Sequence, residues 1–219
     1  KHESRNSRPI GKPTICAASM ARAATSGDGR MRNENLSHEH RSGSVGCGRA
    51  RVSRPDSGVS VTKRAGEMEE ADYDFVMDTN AKGAFFVAQE VGRRMIARSE
   101  GKAPGTFIGG RIVNIASSAG LKVLGRIGTY AMSKAAVIHM TKAMALEWGR
   151  HGINVNAICP GYIDTEINHH HWQTEQGRKL IDMLPRKRVG QPQDLDSVLM
   201  MLVANESHFI NGAVIQADD

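Results

Sequence analysis

The chain has 219 residues, 40% of them hydrophobic, which is enough for one large domain or two small ones with a packed core. Its three cysteines are far apart and form no C-x-x-C pair, which argues against a zinc site and a disulfide framework and favours a reducing, cytoplasmic setting. The sequence has no run of eighteen apolar residues and no apolar stretch behind its basic start, so we expect neither a membrane span nor a signal peptide.

The formal net charge of +6 is concentrated at one end of the chain. Residues 1–65 hold 13 Lys and Arg against 5 Asp and Glu, and they lack Phe, Trp and Tyr. Their strong apolar residues are scattered without a period of 2 or 3.6 residues. Such a segment cannot bury enough apolar surface to offset the entropy that ordering would cost. We therefore predict that residues 1–55 are disordered.

A long helix is the first element that the sequence predicts, over residues 72–98. Its apolar residues recur at helical spacing and indicate one broad buried face. These residues are Phe75, Val76, Phe85, Phe86, Val91, Met95 and Ile96. A glycine- and proline-rich loop follows, over residues 101–110.

The rest of the chain alternates between short apolar strands and helices. Strands are predicted over 111–116, 153–158 and 213–217. Helices are predicted over 129–150, where Gly152 serves as the C-cap, and from Pro192 to Ala204, with a polar, partly helical insertion over 166–188. This alternation indicates an α/β fold with a parallel sheet.

The strongest chemical signal is the pair Tyr130 and Lys134 in the string Y-A-M-S-K. Residues four apart on a helix share a face, so the phenol and the ammonium can project into one site. A free tyrosine has a pKa of about 10, and a nearby cation stabilises the phenolate and lowers that pKa. Tyr130 could then exchange a proton with a carbonyl or alcohol oxygen. A lone Y-x-x-x-K occurs often by chance, so the pair gains weight only from its context.

Two further segments supply that context, each directly after a predicted strand. Ser117 follows the strand 111–116, at the strand end where open α/β sheets place site residues. Its hydroxyl could hold the substrate oxygen against Tyr130, and Ser118 is the alternative. The string P-G-Y-I-D-T, residues 160–165, follows the strand 153–158.

These segments, in this order, resemble the short-chain dehydrogenase/reductase family over about residues 56–219. The resemblance implies a Rossmann-like doubly wound parallel sheet, NAD or NADP as cofactor, and a small-molecule carbonyl or alcohol as substrate. In the family a Ser, a Tyr and a Lys are catalytic, and Ser117, Tyr130 and Lys134 fall on those positions. Asn80 matches the Asn that supports a water-mediated proton relay. The positions implied to contact the cofactor are Asn114, Tyr130, Lys134, Pro160, Gly161, Ile163 and Thr165.

The resemblance fails at the beginning of the chain. The family's T-G-x-x-x-G-x-G turn, which brings a helix N-terminus to the cofactor pyrophosphate, has no match, so the N-terminal cofactor-binding half is missing or degraded. Residues 1–55 fit an out-of-frame translation, or less well a basic arm that binds nucleic acid or acidic lipid. A non-catalytic remnant that cannot bind dinucleotide is therefore the alternative to an oxidoreductase.

Two further expectations concern the histidine run after the P-G-Y-I-D-T string and the association of the chain with copies of itself. The run His169–His170–His171–Trp172 suggests a metal site, but three consecutive side chains do not converge easily on one ion, so we predict no metal. A lid over the substrate fits better, with Trp172 or Ile167 in contact with it. The resemblance also implies that the helices over 72–98 and 129–150 pack against their copies in a homodimer or homotetramer.

Overall fold

A parallel five-stranded sheet forms the centre of the fold in the computed structural model, which describes residues 14–18, 51–52, 58–103, 109–166 and 168–219. The strands are β1 (Thr14–Ala18), β2 (Arg51–Val52), β3 (Gly110–Ile115), β4 (Ile153–Pro160) and β5 (Val214–Ala217). Their order in the sheet is β2-β1-β3-β4-β5, and each neighbouring pair is parallel.

Helices lie on both faces of the sheet. They are α1 (Glu70–Met77), α2 (Gly83–Ser99), α3 (Gly128–Trp148), α4 (His169–Gln173), α5 (Glu175–Met183) and α6 (Asp196–Val203). On one face, Met95 of α2 and Met144 of α3 pack with Ile112 of β3. On the other face, Leu202 of α6 packs with Val113 of β3. The predicted α/β fold with a doubly wound parallel sheet is thus confirmed.

Two strands of this sheet lie in the segment that the sequence predicts to be disordered. β1 pairs with β3 from Thr14 opposite Gly110 to Ala18 opposite Asn114, and β2 extends the sheet beyond β1. The structure differs from the prediction here because the edge of β3 offers unpaired backbone groups, and a short strand can satisfy them without an amphipathic pattern of its own. Apart from β1 and β2, residues 1–55 lie outside the described residues. The interpretations of this segment as out of frame or as a basic arm therefore stay predictions.

The predicted helix over 72–98 exists, but it is interrupted. A π-helical turn, Asp78–Lys82, separates α1 from α2. The prediction of one broad buried face is wrong for three residues: the side chains of Phe75, Phe85 and Phe86 are 51%, 40% and 56% exposed. Apolar residues occur on more than one side of this helix, and the sheet covers only the side that carries Val76 and Met95.

The C-terminal end of α3 follows the prediction. The helix gives way to a 3₁₀ turn over Gly149–His151, and Gly152 then adopts the left-handed conformation with φ of 69°. This conformation favours glycine, which has no Cβ to clash with the preceding carbonyl. Gly152 therefore lets the chain reverse and enter β4 directly. Within the described part of the chain, none of the helices combines the length and the apolar character needed to cross a membrane.

Candidate active site

The candidate site lies where β3 and β4 end. Because the two strands are parallel neighbours, their carboxyl ends meet at one edge of the sheet. Ser117 follows β3 and Gly161 follows β4 at this edge. The backbone pairing continues one residue past β3, since the N–H of Ala116 donates to the carbonyl of Ile158 at 2.8 Å. The end of β3 is therefore held rigidly beside β4.

Ser117 is held by the turn that follows it. It is extended, with φ of −166°, and precedes a 3₁₀ turn over Ser118–Gly120. Its Oγ accepts the N–H of Ala119 at 3.1 Å, and its side chain acts on the Tyr130 phenol, whose pKa it lowers. The alternative, Ser118, is buried and has no such effect on the phenol. The structure thus brings together Ser117 and Tyr130.

Tyr130 and Lys134 lie one turn apart on α3. The Nζ atom of Lys134 is 5.7 Å from the centroid of the Tyr130 ring. The Lys134 side chain is almost entirely buried, and its ammonium donates to the carbonyl of Ile115 at 3.2 Å. Gly58 lies on its other side, where a Cβ built on the glycine would be 3.6 Å from Nζ. The ammonium is therefore held between the end of β3 and the segment at Gly58.

Burial controls the electrostatics of the pair. It raises the pKa of the Tyr130 phenol above its ordinary value, and the hydrogen bond from Ser117 opposes this rise. It also lowers the pKa of Lys134 to about 8, because the charged ammonium loses its hydration, while Cys159 acts in the opposite direction. The expectation that the nearby cation lowers the phenol pKa is therefore not met in the cofactor-free chain.

Asn80 lies in the π-helical turn and is 4% exposed. Its Oδ1 accepts the N–H of Val59 at 2.9 Å, and its Nδ2 donates to the carbonyl of the same residue at 2.8 Å. Nδ2 also donates to the Oγ of Ser133 on α3 at 3.0 Å. The π turn, the segment at Val59 and the helix that carries Tyr130 are thus joined through one amide. The sequence analysis did not identify Ser133, although it lies within Y-A-M-S-K.

The segment after β4 is organised by Asn168, which the sequence analysis also missed. Its Oδ1 accepts the backbone N–H of Thr165 at 2.7 Å and the hydroxyl of Thr165 at 3.1 Å. Its Nδ2 donates to the carbonyl of Ile163 at 2.8 Å. Gly161 is required at its position, because a Cβ there would overlap the side chain of Asp218. The spacing T-x-x-N, typical of a side chain that closes a short turn, was the available signal.

Asn114 differs from the expectation that it contacts a cofactor. Its side chain is 1% exposed and points toward α3, where Nδ2 donates to the Oγ1 of Thr141 at 2.9 Å. Asn114 therefore takes the face of β3 that α3 covers, and its neighbours in the strand take the other face. The structure therefore leaves Pro160, Gly161, Ile163 and Thr165 near the site edge and places the Asn114 side chain in the core.

The proposed lid consists of α4 and α5. Trp172 packs edge-to-face against Tyr162, with ring centroids 5.7 Å apart, and its Nε1 donates to Asn168 at 3.2 Å. Ile167 lies outside the described residues. His169 contacts the carboxylate of Asp164 at 3.0 Å. The described residues contain no cluster of three or more His, Cys, Asp or Glu side chains that could hold a metal.

The site has the donor set that the nicotinamide end of a dinucleotide requires. An ammonium has three N–H donors, and the hydrogen bond to Ile115 uses one, so Lys134 retains donors for ribose hydroxyls. Gly58 places no side chain beside that ammonium, where a Cβ would lie 3.6 Å from Nζ. The residues present thus fit this half of a cofactor.

Fold and site together define a protein of the dehydrogenase type, with a Ser-Tyr-Lys constellation at the carboxyl edge of a parallel sheet. A family model described as Enoyl-(Acyl carrier protein) reductase matches residues 54–219. The chain belongs to the short-chain dehydrogenase/reductase family. The predicted resemblance is thereby confirmed.

Named relatives of the chain are dehydrogenases. It is 36% identical over 156 residues to the NAD-dependent glycerol dehydrogenase of Listeria innocua serovar 6a, which covers 71% of this chain and 58% of that protein. It is also 36% identical over 165 residues to the 2-dehydro-3-deoxy-D-gluconate 5-dehydrogenase of Dickeya dadantii, covering 74% and 62%. The chain thus spans about three-fifths of the length of these relatives.

Solved structures agree with this assignment. The gluconate 5-dehydrogenase of Burkholderia cenocepacia J2315, in complex with NADP and tartrate, superimposes with a TM-score of 0.66 at 32% identity. The match covers 74% of this chain and 61% of that one. A 4-hydroxyisoleucine dehydrogenase complexed with NADH gives the same TM-score at 29% identity, covering 74% and 64%.

Proposed function

We propose that this protein is an NAD(P)-dependent oxidoreductase that interconverts a carbonyl and a secondary alcohol. The observation that carries the proposal is that the Lys134 ammonium lies 5.7 Å from the centre of the Tyr130 ring, at the edge of the sheet where Ser117 follows β3 and lowers the pKa of the same phenol. A hydroxyl, an ionisable phenol and a cation then meet at one edge of the sheet, which is the set that proton exchange with a carbonyl oxygen requires.

Tyr130 acts as the general acid in the reductive direction and as the general base in the oxidative direction. A bound NAD(P)H or NAD(P)+ would supply or accept the hydride. Because burial raises the phenol pKa, Tyr130 is protonated at neutral pH in the cofactor-free chain and holds the proton that a carbonyl oxygen needs. The Oγ of Ser117 accepts from Ala119 and its one proton is directed to the phenol, so a bound substrate oxygen would take over that donor.

Lys134 has two tasks in this proposal. Its ammonium would bind the ribose hydroxyls, and its charge would stabilise the phenolate that Tyr130 becomes when its proton leaves. A pKa of about 8 means that the ammonium is mostly charged at neutral pH and titrates just above it. The second task therefore weakens as the pH rises past 8.

Asn80 supports the proton relay by shaping the chain. Its amide is engaged with Val59 and Ser133, and an amide does not itself exchange protons near neutral pH. Its role would be to hold the π turn against α3. That arrangement would keep the segment at Gly58 beside the Lys134 ammonium.

The substrate class that we propose is a polyol or a sugar acid. Relatives of the chain are named for glycerol, gluconate and sorbitol, which share several adjacent hydroxyl groups. Fold and triad alone do not select a substrate, so this part of the proposal depends on those relatives. A panel of glycerol, sorbitol and gluconate tests it directly.

A fluorescence titration of the purified chain with NADH and with NADPH tests the proposal. Saturable binding that Lys134→Ala abolishes is the expected result, and the tighter of the two cofactors gives the phosphate preference. Turnover of a panel substrate should then disappear in Tyr130→Phe while cofactor binding remains. A folded chain that binds neither cofactor would instead favour the non-catalytic remnant, the second candidate, which rests on the unmatched glycine turn.

We further propose that α2 and α3 form an interface with a second copy of the chain. Phe85 and Phe86 on α2 are 40% and 56% exposed, and Leu146 on α3 is 86% exposed. Two grooves lie on these helices, one lined in part by Phe86 and the other in part by Phe85. Neither groove is lined by Ser117, Tyr130 or Lys134. Large apolar side chains in such numbers on neighbouring helices are typical of a surface that another chain covers.

Light scattering after size-exclusion chromatography tests this interface. The native chain should have the mass of a dimer or tetramer, and Phe86→Glu should shift it toward the monomer. Val123→Glu is the matched control, because Val123 is also exposed, at 96%, but does not lie on α2 or α3. A monomeric native chain, or equal effects of both substitutions, would contradict the proposal.

A further inference from the structure

Ser133 lies between Tyr130 and Lys134 on α3, and its side chain is fully buried. Its hydroxyl donates to the carbonyl of Tyr130 at 2.7 Å and accepts from the Nδ2 of Asn80 at 3.0 Å. A serine hydroxyl has one proton, so the bond to Tyr130 leaves the oxygen lone pairs for Asn80. The two bonds therefore have a defined direction, from Asn80 through Ser133 to the backbone of Tyr130.

Asn80 is also hydrogen-bonded to the backbone of Val59. Its amide makes a paired contact with Val59, accepting the N–H at 2.9 Å and donating to the carbonyl at 2.8 Å. The residue before Val59 is Gly58, on which a Cβ atom would lie 3.6 Å from the Lys134 Nζ. The Ser133 hydroxyl thus connects the helix that carries Lys134 to the backbone segment on the other side of the same ammonium.

We propose that Ser133 is a positioning residue, which holds Asn80 and the Gly58–Val59 segment in register with Tyr130 and Lys134. This inference rests on the proposed function for its meaning in catalysis. Ser133 acts through Asn80 and does not touch the reactants. Without its hydroxyl, one donor of a buried amide loses its partner on α3, and only the two bonds to Val59 remain. The segment at Gly58 then loosens, and water reaches Lys134.

A local bond from a serine hydroxyl to the carbonyl three residues earlier is common in helices and by itself means little. Thr141 provides a matched control for the possibility that the Ser133 bonds are only local helix contacts. Thr141, also fully buried on α3, donates to the carbonyl of Val137 at 2.8 Å and accepts from the Nδ2 of Asn114 at 2.9 Å. It makes the same two kinds of bond two turns away from Lys134. Ser133→Ala and Thr141→Val therefore remove equivalent interactions at different distances from the site.

The first experiment follows the titration of Lys134 by NMR of the 13Cε nucleus in the native chain, Ser133→Ala and Thr141→Val. The signal is assigned with Lys134→Met. The titratable groups that act on this ammonium are Tyr130 on its own helix and Cys159 on β4, and neither substitution changes them. Ser133→Ala should raise the midpoint from about 8 toward the ordinary lysine value, by about half a unit or more, because the ammonium regains hydration. Thr141→Val should leave it unchanged.

This measurement needs neither cofactor nor turnover, so its failure is separate from failure of the proposed function. A midpoint that shifts equally in both variants, or in neither, would overturn the inference even if the chain is an active dehydrogenase. If the chain is active, kcat/KM should fall about tenfold in Ser133→Ala, as expected for a small displacement of catalytic groups. The loss in Thr141→Val should be less than twofold.

A double-mutant cycle with Asn80→Ala tests whether Ser133 acts through Asn80. If Ser133 acts through Asn80, Ser133→Ala should cause no further loss of kcat/KM in the Asn80→Ala background. Additive losses in the double variant would mean that Ser133 acts independently and would contradict the proposal. Where Asn80→Ala does not fold, Asn80→Asp replaces it, because that substitution keeps Oδ1 for the N–H of Val59 while it removes the donors to Ser133 and to the Val59 carbonyl.

Discussion

Gly120 packs directly on the backbone of Lys134: a Cβ atom built on this glycine would lie 2.8 Å from the carbonyl carbon of Lys134 and 2.9 Å from the nitrogen of Ala135. Backbone atoms cannot move aside as a flexible side chain can. The turn after Ser117 can therefore approach α3 this closely only without a side chain. Ser117, at the start of that turn, lowers the pKa of the Tyr130 phenol on the same helix.

Gly120→Ala should therefore separate Ser117 from Tyr130. We expect a destabilisation of about 1–3 kcal/mol from overpacking, and a fall in kcat of more than about tenfold. Urea denaturation and steady-state kinetics measure the two effects. Gly125→Ala is the control, because a Cβ there meets nothing within 4 Å. If Gly120→Ala behaves like Gly125→Ala, the close contact does not position Ser117.

Ser117→Ala should raise the pKa of Tyr130. The hydrogen bond from Ser117 is the interaction that opposes the effect of burial on the phenol, so its removal leaves burial unopposed. Ultraviolet titration near 295 nm, with Tyr130→Phe as the reference, isolates this phenol from Tyr73 and Tyr162. In alcohol oxidation, the rise of the rate with pH should move to higher pH. Ser118→Ala should leave the titration unchanged, and a shift of equal size there would refute the assignment.

Lys134→Met should change how stability depends on pH. The folded-state pKa of Lys134, about 8, lies below its ordinary value of 10.5, so between these pH values the unfolded chain binds more protons. The stability of the native chain therefore rises across this range, and below pH 8 the cost of the buried charge is fully present. Lys134→Met removes the cost, so it should be the more stable protein at pH 7. Its advantage should shrink by about 2 kcal/mol between pH 7 and 9.5.

Paired denaturation curves of the two proteins at pH 7.0, 8.5 and 9.5 measure that difference. Groups that titrate alike in both proteins contribute equally to both free energies of unfolding, so their contributions cancel in the difference. A difference in free energy of unfolding that stays constant over this range would mean that Lys134 keeps an ordinary pKa. The buried position of its ammonium would then not control its charge.

Asn168→Ala should loosen the segment after Gly161. The substitution removes the hydrogen bonds to Thr165, Ile163 and Trp172 while leaving Ser117 and Tyr130 in place. We expect KM for cofactor and substrate to rise several-fold more than kcat falls, and the fluorescence of Trp172 to change. Asn168→Asp keeps the acceptor oxygen and should retain most of the native behaviour. Equal losses in both variants would mean that the acceptor bonds do not organise this segment.

Much of the site could be predicted from the chain alone. Tyr130 and Lys134 share a face because residues four apart on a helix do so in any fold. Ser117 and Gly161 lie at one edge because each directly follows a strand and parallel strands end together. The short apolar runs indicated buried parallel strands, and β3 and β4 are buried along almost their whole length.

Only the tertiary structure decided the rest. Periodicity spans many residues, so it could not show the one-residue irregularity of the π turn that carries Asn80. A strand pattern does not say which face of the sheet Asn114 takes, and pairing with Thr141 settled that. The partners of Ser133 and Gly120 come from distant parts of the chain, and no local pattern records them.

The chemistry of the site divides in the same way. The sequence determined which groups are present, because spacing along a helix and position after a strand are local properties. The tertiary structure determined their protonation, because burial by distant segments raises the pKa of Tyr130 and lowers that of Lys134. Desolvation of a group depends on the tertiary packing around it, so the spacing of residues along the chain does not predict it.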